Sequence, residues 1–288
     1  MNDYHRIQQA VEYIETHLQE DLNMERIAAQ SCFSAYHFQR LFHAVSGFSV
    51  WEYIRKRRLA EAAALLKRSD RNILEIAVAY QYNSQEAFTR AFENCFAVTP
   101  AQYRKAERSL PKLAKINFGA AHPKINGALR LKRPHIITVP PAKITGFSYR
   151  ANLENEQYYR EIPAFWFEFY RQGRQKRIPN RLAPDTALGL AFDTVQRDAL
   201  PYLIGAQVTH FAAELESGFE NHPLPGGKYG EFTLNGPIRD IENAFRYIYG
   251  IWLPNSKYER GDGPDIKLVQ VDRSTSTRFA MRIRVPLQ

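Results

Sequence analysis

The sequence is poor in thiols and in uninterrupted apolar runs. Its 288 residues hold two cysteines, Cys32 and Cys95, and neither belongs to a CxxC or other metal-ligand spacing. That argues against a disulfide-stapled scaffold and a cysteine–zinc centre, and leads us to expect reduced thiols in a cytoplasmic protein. The longest stretch without formal charge, Ala199 to Ala213, is broken by Pro201, Gly205, Gln207 and His210. It falls short of the ~20 apolar residues that a membrane span requires. The N-terminus, Met1-Asn2-Asp3-Tyr4-His5, has neither the basic region nor the apolar run of a secretory leader. Catalytic signatures are missing too. No GxSxG element is present, no cysteine follows position 95, and His210-Phe211-Ala212-Ala213-Glu214 lacks the spacing of a zinc-protease motif. Gly226-Gly227-Lys228-Tyr229-Gly230 and Gly261-Asp262-Gly263-Pro264-Asp265 lack phosphate-loop or calcium-loop spacing and read as turns before strands. We therefore expect no enzyme activity, no cofactor and no metal.

What is present is unevenly distributed charge. The formal net charge is +9, of which residues 1–110 carry +1, residues 111–135 carry +6 with no acidic residue, and residues 136–288 carry +2. Within the first part, residues 1–25 are −5 and residues 26–110 are +6. A chain with one acidic end and one basic side can orient on a polyanion.

Residues 1–108 contain one pattern twice. Ile27-Ala28-Ala29, Ser34, Phe38-Gln39-Arg40-Leu41-Phe42 and Tyr53 are matched by Ile76-Ala77-Val78, Ser84, Phe88-Thr89-Arg90-Ala91-Phe92 and Tyr103. The offset is 49 at the start and 50 from the serine onward, so one residue is added in the second turn. Each copy reads as a helix-turn-helix, with Ser34 and Ser84 as helix caps. In the first reading helix Phe38, Leu41, Phe42 and Val45 form the apolar stripe, with Tyr36, Gln39 and Arg40 opposite. In the second, Phe88, Ala91, Phe92 and Cys95 face inward, and Gln85, Glu86, Thr89 and Arg90 outward.

These side chains suit the major groove. Arginine matches guanine O6/N7 with two hydrogen bonds, glutamine matches adenine N6/N7, and an aromatic ring packs on a thymine methyl. Two such heads on one rigid domain reach successive major grooves ~34 Å apart. Ser34, Ser84, Arg55 and Arg57 are candidate phosphate contacts, being helix N-termini or members of the basic run 55–58. The expected partner is double-stranded DNA.

The two copies, extended by Gly47, Tyr53-Ile54-Arg55, Arg58-Leu59, Leu65-Leu66, Phe96, Thr99-Pro100 and Tyr103-Arg104, resemble the AraC/XylS transcription-factor domain over about residues 4–107. The N-terminal placement is similar to that of the Rob-like members of that family. The resemblance implies base contacts by Tyr36, Gln39 and Arg40 in one head and by Gln85, Glu86, Thr89 and Arg90 in the other. Glu86 departs from the second glutamine of Rob-like proteins. A carboxylate accepts from cytosine N4 but repels phosphate, so the second half-site is expected to differ.

Residues 109–134 carry Pro111, Gly119, Pro123, Gly127 and Pro134 without periodicity and read as a basic linker. Its cations lie along DNA phosphates or merely solubilise a tether. From His135 to the end the pattern becomes mixed: strand, helix and strands, twice over. This predicts an α+β domain of two related halves after the all-α double helix-turn-helix. The helix Tyr158–Arg171 carries aromatics on every face, so its surplus must meet a pocket, a partner or the rest of the chain. Glu168 within it is either a pocket carboxylate or a solvated one.

The segments Pro225 to Phe232, Ile248 to Tyr258, Gly263-Pro264-Asp265-Ile266-Lys267 and Ile283 to Pro286 resemble the GyrI-like small-molecule-binding domain. That resemblance implies a bulky hydrophobic effector between the two halves. Tyr149, Trp166, Phe167, Glu168, Tyr229, Trp252 and Tyr258 are the expected site residues. A glutamate frequent in that family is replaced here by Lys267, which leaves room for anionic or neutral ligands. The expectation is a transcription activator with an effector sensor and with RNA polymerase as a further partner. A GyrI-like hydrolase or a protein-binding module in the C-terminal half are the two rival readings.

Overall fold

The structure is a computed structural model. It describes residues 3–106, 114–118, 131–152, 157–192, 199–238, 240–271, 274–275 and 278–288. The chain forms two compact units, one of helices and one built on a sheet.

The helical unit consists of α1 (Asp3–Thr16), α2 (Met24–Ala29), α3 (Ala35–Ser46), α4 (Val50–Arg68), α5 (Ile73–Ala79), α6 (Gln85–Phe96) and α7 (Pro100–Lys105). Local chemistry sets the starts. Asn23, Ser49, Asn72, Ser84 and Thr99 each accept a backbone N–H from the first turn of the following helix. Glu75 and Gln102 return the bond to Asn72 and Thr99, completing two capping boxes.

The duplication is visible atom by atom. Phe33 N–H donates to the Ala28 carbonyl as Tyr82 N–H does to Ala77, and Cys32 and Gln81 share a left-handed backbone (φ 54° and 66°). These pairs keep the offset of 49, whereas Ser34 and Ser84 keep 50. The added residue is therefore Asn83, in the second turn. After the reading helices the offset still holds: α3 ends before Gly47 (φ 76°), and α6 at Ala97 (φ 54°).

One of the described residues in the segment expected as a tether belongs to the helical core. Phe118 is buried with its ring edge-on to Phe42, and its N–H donates to Gln8 Oε1 at 2.8 Å. Ile116 N–H donates to the Tyr53 hydroxyl, and Lys115 pairs with Glu12. Apolar burial and an acidic α1 hold this stretch, which weakens its reading as a plain solvated linker. Lys112, Lys124 and Arg130 lie outside the described residues.

The second unit comprises β1 (His135–Val139), β2 (Ala142–Asn152), α8 (Tyr158–Arg171), β3 (Thr186–Ala191), β4 (Ala199–Val208), β5 (Phe219–Leu224), β6 (Gly227–Pro237), α9 (Asp240–Tyr247), β7 (Asp265–Gln270) and β8 (Arg278–Leu287). A 3-10 turn, Arg174–Arg177, follows α8, and a π turn, Ile248–Trp252, follows α9. Pro140 and Pro141 separate β1 from β2, because neither can donate to a ladder.

All eight strands join one antiparallel sheet in the order β1-β6-β8-β7-β3-β4-β2-β5. Read outward from the central β3–β7 pair, each side repeats the same plan: β3-β4-β2 with α8, and β7-β8-β6 with α9. The expected two related halves are thus present. Their common centre is the β3–β7 pair, where Gly189 stands opposite Lys267. Phe232, Leu234, Met281, Ile283 and Val285 pack with Phe245 and Ile248 of the α9 segment. Leu188, Leu190, Leu203, Ile266 and Leu268 form a separate core with Val139, Ile144 and Leu224.

Candidate nucleic-acid interface and effector cleft

The second reading helix presents its predicted set outward. Gln85, Glu86 and Arg90 are exposed and Thr89 is half-buried, while Phe88, Phe92 and Phe96 form the inner stripe. Phe92 contacts the rings of Phe88, Phe96 and Tyr103 at 4.8–5.9 Å between centroids. The helix is thereby held rigidly behind its polar face. The Glu86 carboxyl is held below its usual range by its own backbone N–H, then by Ser84, with the Arg90 charge adding. It is ionised at neutral pH, as an acceptor for cytosine N4 must be.

The first reading helix differs. Tyr36 and Arg40, expected on the outward face, share one face of α3, and Gln39 is half-buried. One turn apart, they pack on each other, with the Arg40 guanidinium carbon 4.9 Å from the Tyr36 ring centroid.

The candidate phosphate contacts divide. Ser34 and Ser84 each accept an N–H of the first helical turn, from His37 and Ala87. Arg55 is exposed. Arg57 is the correction to the sequence reading: its side chain is 10% exposed and fully engaged inside the unit. It donates to both oxygens of Glu15 at 2.8–3.1 Å and to Glu61 at 2.9 Å, while the Tyr53 hydroxyl donates to the same Glu15 at 2.6 Å. Its neighbour Arg58 donates to the carbonyls of Leu18 and Glu20, closing the end of the α1 segment. A run of four basic residues looked like one phosphate surface, yet a helix turns them through different faces.

In the sheet unit, the central β3–β7 pair forms the floor between α8 and α9. Gly189 leaves room for Trp166: a Cβ there would stand 2.7 Å from the indole and 2.2 Å from the Tyr202 hydroxyl. The indole N–H donates to that hydroxyl at 2.9 Å. Opposite Gly189, the Lys267 ammonium lies 5.4 Å from the Tyr202 ring and 5.3 Å from the Phe245 ring. Beside it, the buried Asp265 accepts the Tyr249 hydroxyl at 2.7 Å and faces Arg260 at 3.5 Å.

Of the predicted effector residues, Trp166 alone lies in this central cluster. Trp252 and Tyr258 stack on each other at 6.3 Å between centroids and pack against the α9 core. Tyr149 stacks on Phe165 at 4.6 Å and donates to Glu161. Tyr229 is buried in the core on the other face of the sheet. Phe167 is 61% exposed. Glu168 faces solvent on α8 and is salt-bridged to Arg171 at 2.6 Å; that hydrogen bond holds its carboxyl low. Both are displaced from the central cluster because α8 turns its Phe165, Trp166 and Phe169 side toward the sheet. Tyr202, Phe245, Tyr249 and Asp265 were not singled out from sequence. The alternation in β7, with Asp265 and Lys267 between apolar residues of a central strand, was the available signal.

A cavity of about 240 Å³ opens at the C-terminal end of α8, between the 3-10 turn and strands β3 and β4.

A helix-turn-helix pair joined to a sheet domain of two related halves defines a DNA-binding regulator with an effector-binding type of module. Two family models match: "Helix-turn-helix domain" over residues 27–106 and "Integron-associated effector binding protein" over residues 135–285. The "Right origin-binding protein" of Escherichia coli K12 is 31% identical over 263 residues, spanning 88% of this chain and 86% of that protein. The "Transcriptional regulator Rob" of Salmonella typhimurium is 30% identical over 273 residues, 92% and 90% of the two chains. Among solved structures, an integron cassette protein of Vibrio cholerae aligns with 15% identity and a TM-score of 0.40, covering 55% of this chain and 97% of that one. The chain belongs to the AraC-type family of transcriptional regulators, in the Rob-like arrangement with a C-terminal GyrI-like domain. Among the described residues no helix is long and apolar enough to cross a membrane.

Proposed function

We propose that this regulator is an activator that reads a bipartite DNA site with its two helices and senses a small hydrophobic molecule with its C-terminal unit. The outward set Gln85, Glu86, Thr89 and Arg90 on a rigid helix carries the DNA part. Tyr36, Gln39 and Arg40 supply the second half-site. The effector is taken at the β3–β7 centre between the two halves, against Trp166, Tyr202, Phe245 and Lys267, where the space left by Gly189 is filled by the Trp166 indole and the Tyr202 hydroxyl. RNA polymerase is the further partner that an activator needs.

Selection of binding sites from a random DNA pool tests the first part. The full chain should enrich two submotifs about one helical turn apart. Arg90→Ala should cost ~1–3 kcal/mol and relax one base position. A loss spread evenly over all sequences would make Arg90 a phosphate contact. The sensor part is tested by whether bulky aromatic compounds raise the melting temperature saturably and shift DNA affinity. Stabilisation without any change in DNA binding would separate the two activities.

A further inference from the structure

The cavity at the end of α8 is distinct in composition from the central cluster around Trp166 and Lys267. Phe169, Ile178, Pro184, Ala187, Ala206 and Val271 give it an apolar wall. Its floor is shallow in side chains because Ala187 and Ala206 are small. Its charged lining is Lys176 and Arg181, with no carboxylate. Arg181 is half-buried and Lys176 is exposed at the mouth.

Two polar atoms buried at this cavity have no hydrogen-bond partner: the Tyr170 hydroxyl and Gln175 Oε1. Buried polar atoms are nearly always satisfied, so two such atoms lining one cavity mark a place where a bound water or ligand group completes the bonding. Burial pushes the Tyr170 phenol up to about 12, against the pull of Arg181, so it stays protonated and can donate. The Gln175 amide can offer either its oxygen or, turned over, its NH₂.

A donor phenol, an adaptable amide and two cations inside an apolar wall define the complement of one chemical group. We infer that this cavity binds a compact apolar carboxylate, its oxygens taken by Tyr170 Oη and the Arg181 guanidinium and its hydrocarbon by the Ile178, Ala206 and Val271 wall. The site is separate from the central cluster. It lies along α8 from it, where Tyr170 stacks on Trp166 at 6.1 Å between centroids. It would therefore give this domain a second ligand position. A cation of the same shape faces Lys176 and Arg181 with no carboxylate in the lining to offset them, and is disfavoured.

The test uses 2-naphthoate and 2-naphthylmethylammonium, titrated calorimetrically into the full chain. The naphthoate should bind saturably and the ammonium at least tenfold more weakly. Tyr170→Phe should weaken naphthoate about tenfold, as loss of a charge-assisted hydrogen bond does. The same change should leave the ligand-free protein as stable as before or more so, because it removes an unsatisfied buried hydroxyl. Ala206→Leu, which fills the cavity, should abolish naphthoate binding, and its melting curve reports folding independently. Lys267→Gln, in the central cluster, should leave naphthoate affinity within a factor of two or three. Three results each overturn the inference: no saturable binding, equal or better binding of the ammonium, or naphthoate binding that survives Tyr170→Phe and Ala206→Leu but is lost in Lys267→Gln. The last would place the ligand at the central cluster and leave the sensor reading intact.

Discussion

Arg57→Ala removes a guanidinium that makes three hydrogen bonds to Glu15 and one to Glu61. What remains is the Glu15 carboxylate, 11% exposed, with the Tyr53 hydroxyl as its surviving donor in that network. Breaking one partner out of a buried ion pair costs about 3–5 kcal/mol, because the other charge stays desolvated and uncompensated. Arg57 retains slight solvent access, which places the loss near the lower end, about 3 kcal/mol. For a helical unit of this size that is a fall of about 12–15 °C in melting temperature. Chemical and thermal denaturation followed by far-ultraviolet circular dichroism measure it. The dependence of DNA affinity on salt, by fluorescence anisotropy at a temperature where the variant is folded, should keep its wild-type slope. Arg55→Ala provides the contrast, with stability unchanged and the log–log slope lowered by ~0.9 if it meets a phosphate. If Arg57→Ala instead lowered the slope and left stability alone, the guanidinium would belong to the DNA surface and the reasoning from Glu15 would be wrong.

Three further outcomes are expected. Ala97→Gly should stabilise the helical unit by about 1 kcal/mol in urea titrations, since Ala97 holds the left-handed conformation (φ 54°) that Gly47 fills in the first repeat; no gain would mean the strain is relieved elsewhere. Gly189→Ala should cost about 1–3 kcal/mol and change Trp166 fluorescence, because its Cβ would meet the Tyr202 hydroxyl and the indole at under 3 Å; an unperturbed emission spectrum would contradict the packing. His222 is held below its ordinary value of 6.5 by burial, beside Phe192 at 4.4 Å, with Glu220 opposing. The folded state thus binds fewer protons there than the unfolded chain, so this stabilising contribution is complete above pH 6.5 and is lost as pH falls toward the lowered folded value. His222→Gln should flatten that part of the stability–pH curve, and an identical curve would assign the slope to another group.

Local chemistry wrote much of the helical unit into the sequence. Ser84 caps the helix it was read to cap, and Phe88 and Phe92 fall inward at the expected spacing. The offset change from 49 to 50 even located the extra residue in the second turn. These features depend on neighbours three or four positions away, so the sequence carries them directly. The two-halved plan of the sheet unit was legible for the same reason, in the order of strand and helix patterns.

The sites required contacts between distant segments. Arg57 looked like its basic neighbours until α1 brought Glu15 beside it, 42 residues away. The central cluster is assembled from β3, β4, β7, α8 and α9, and only the placement of Gly189 on the central strand, opposite Lys267, shows why Trp166 fits against the sheet. Phe167 and Glu168, adjacent to Trp166 in sequence, turn to solvent because a helix offers the sheet one face. Helix caps and apolar stripes are properties of short stretches; burial of a charge and the shape of a cavity belong to the pairing of strands and helices that the sequence separates by tens of residues.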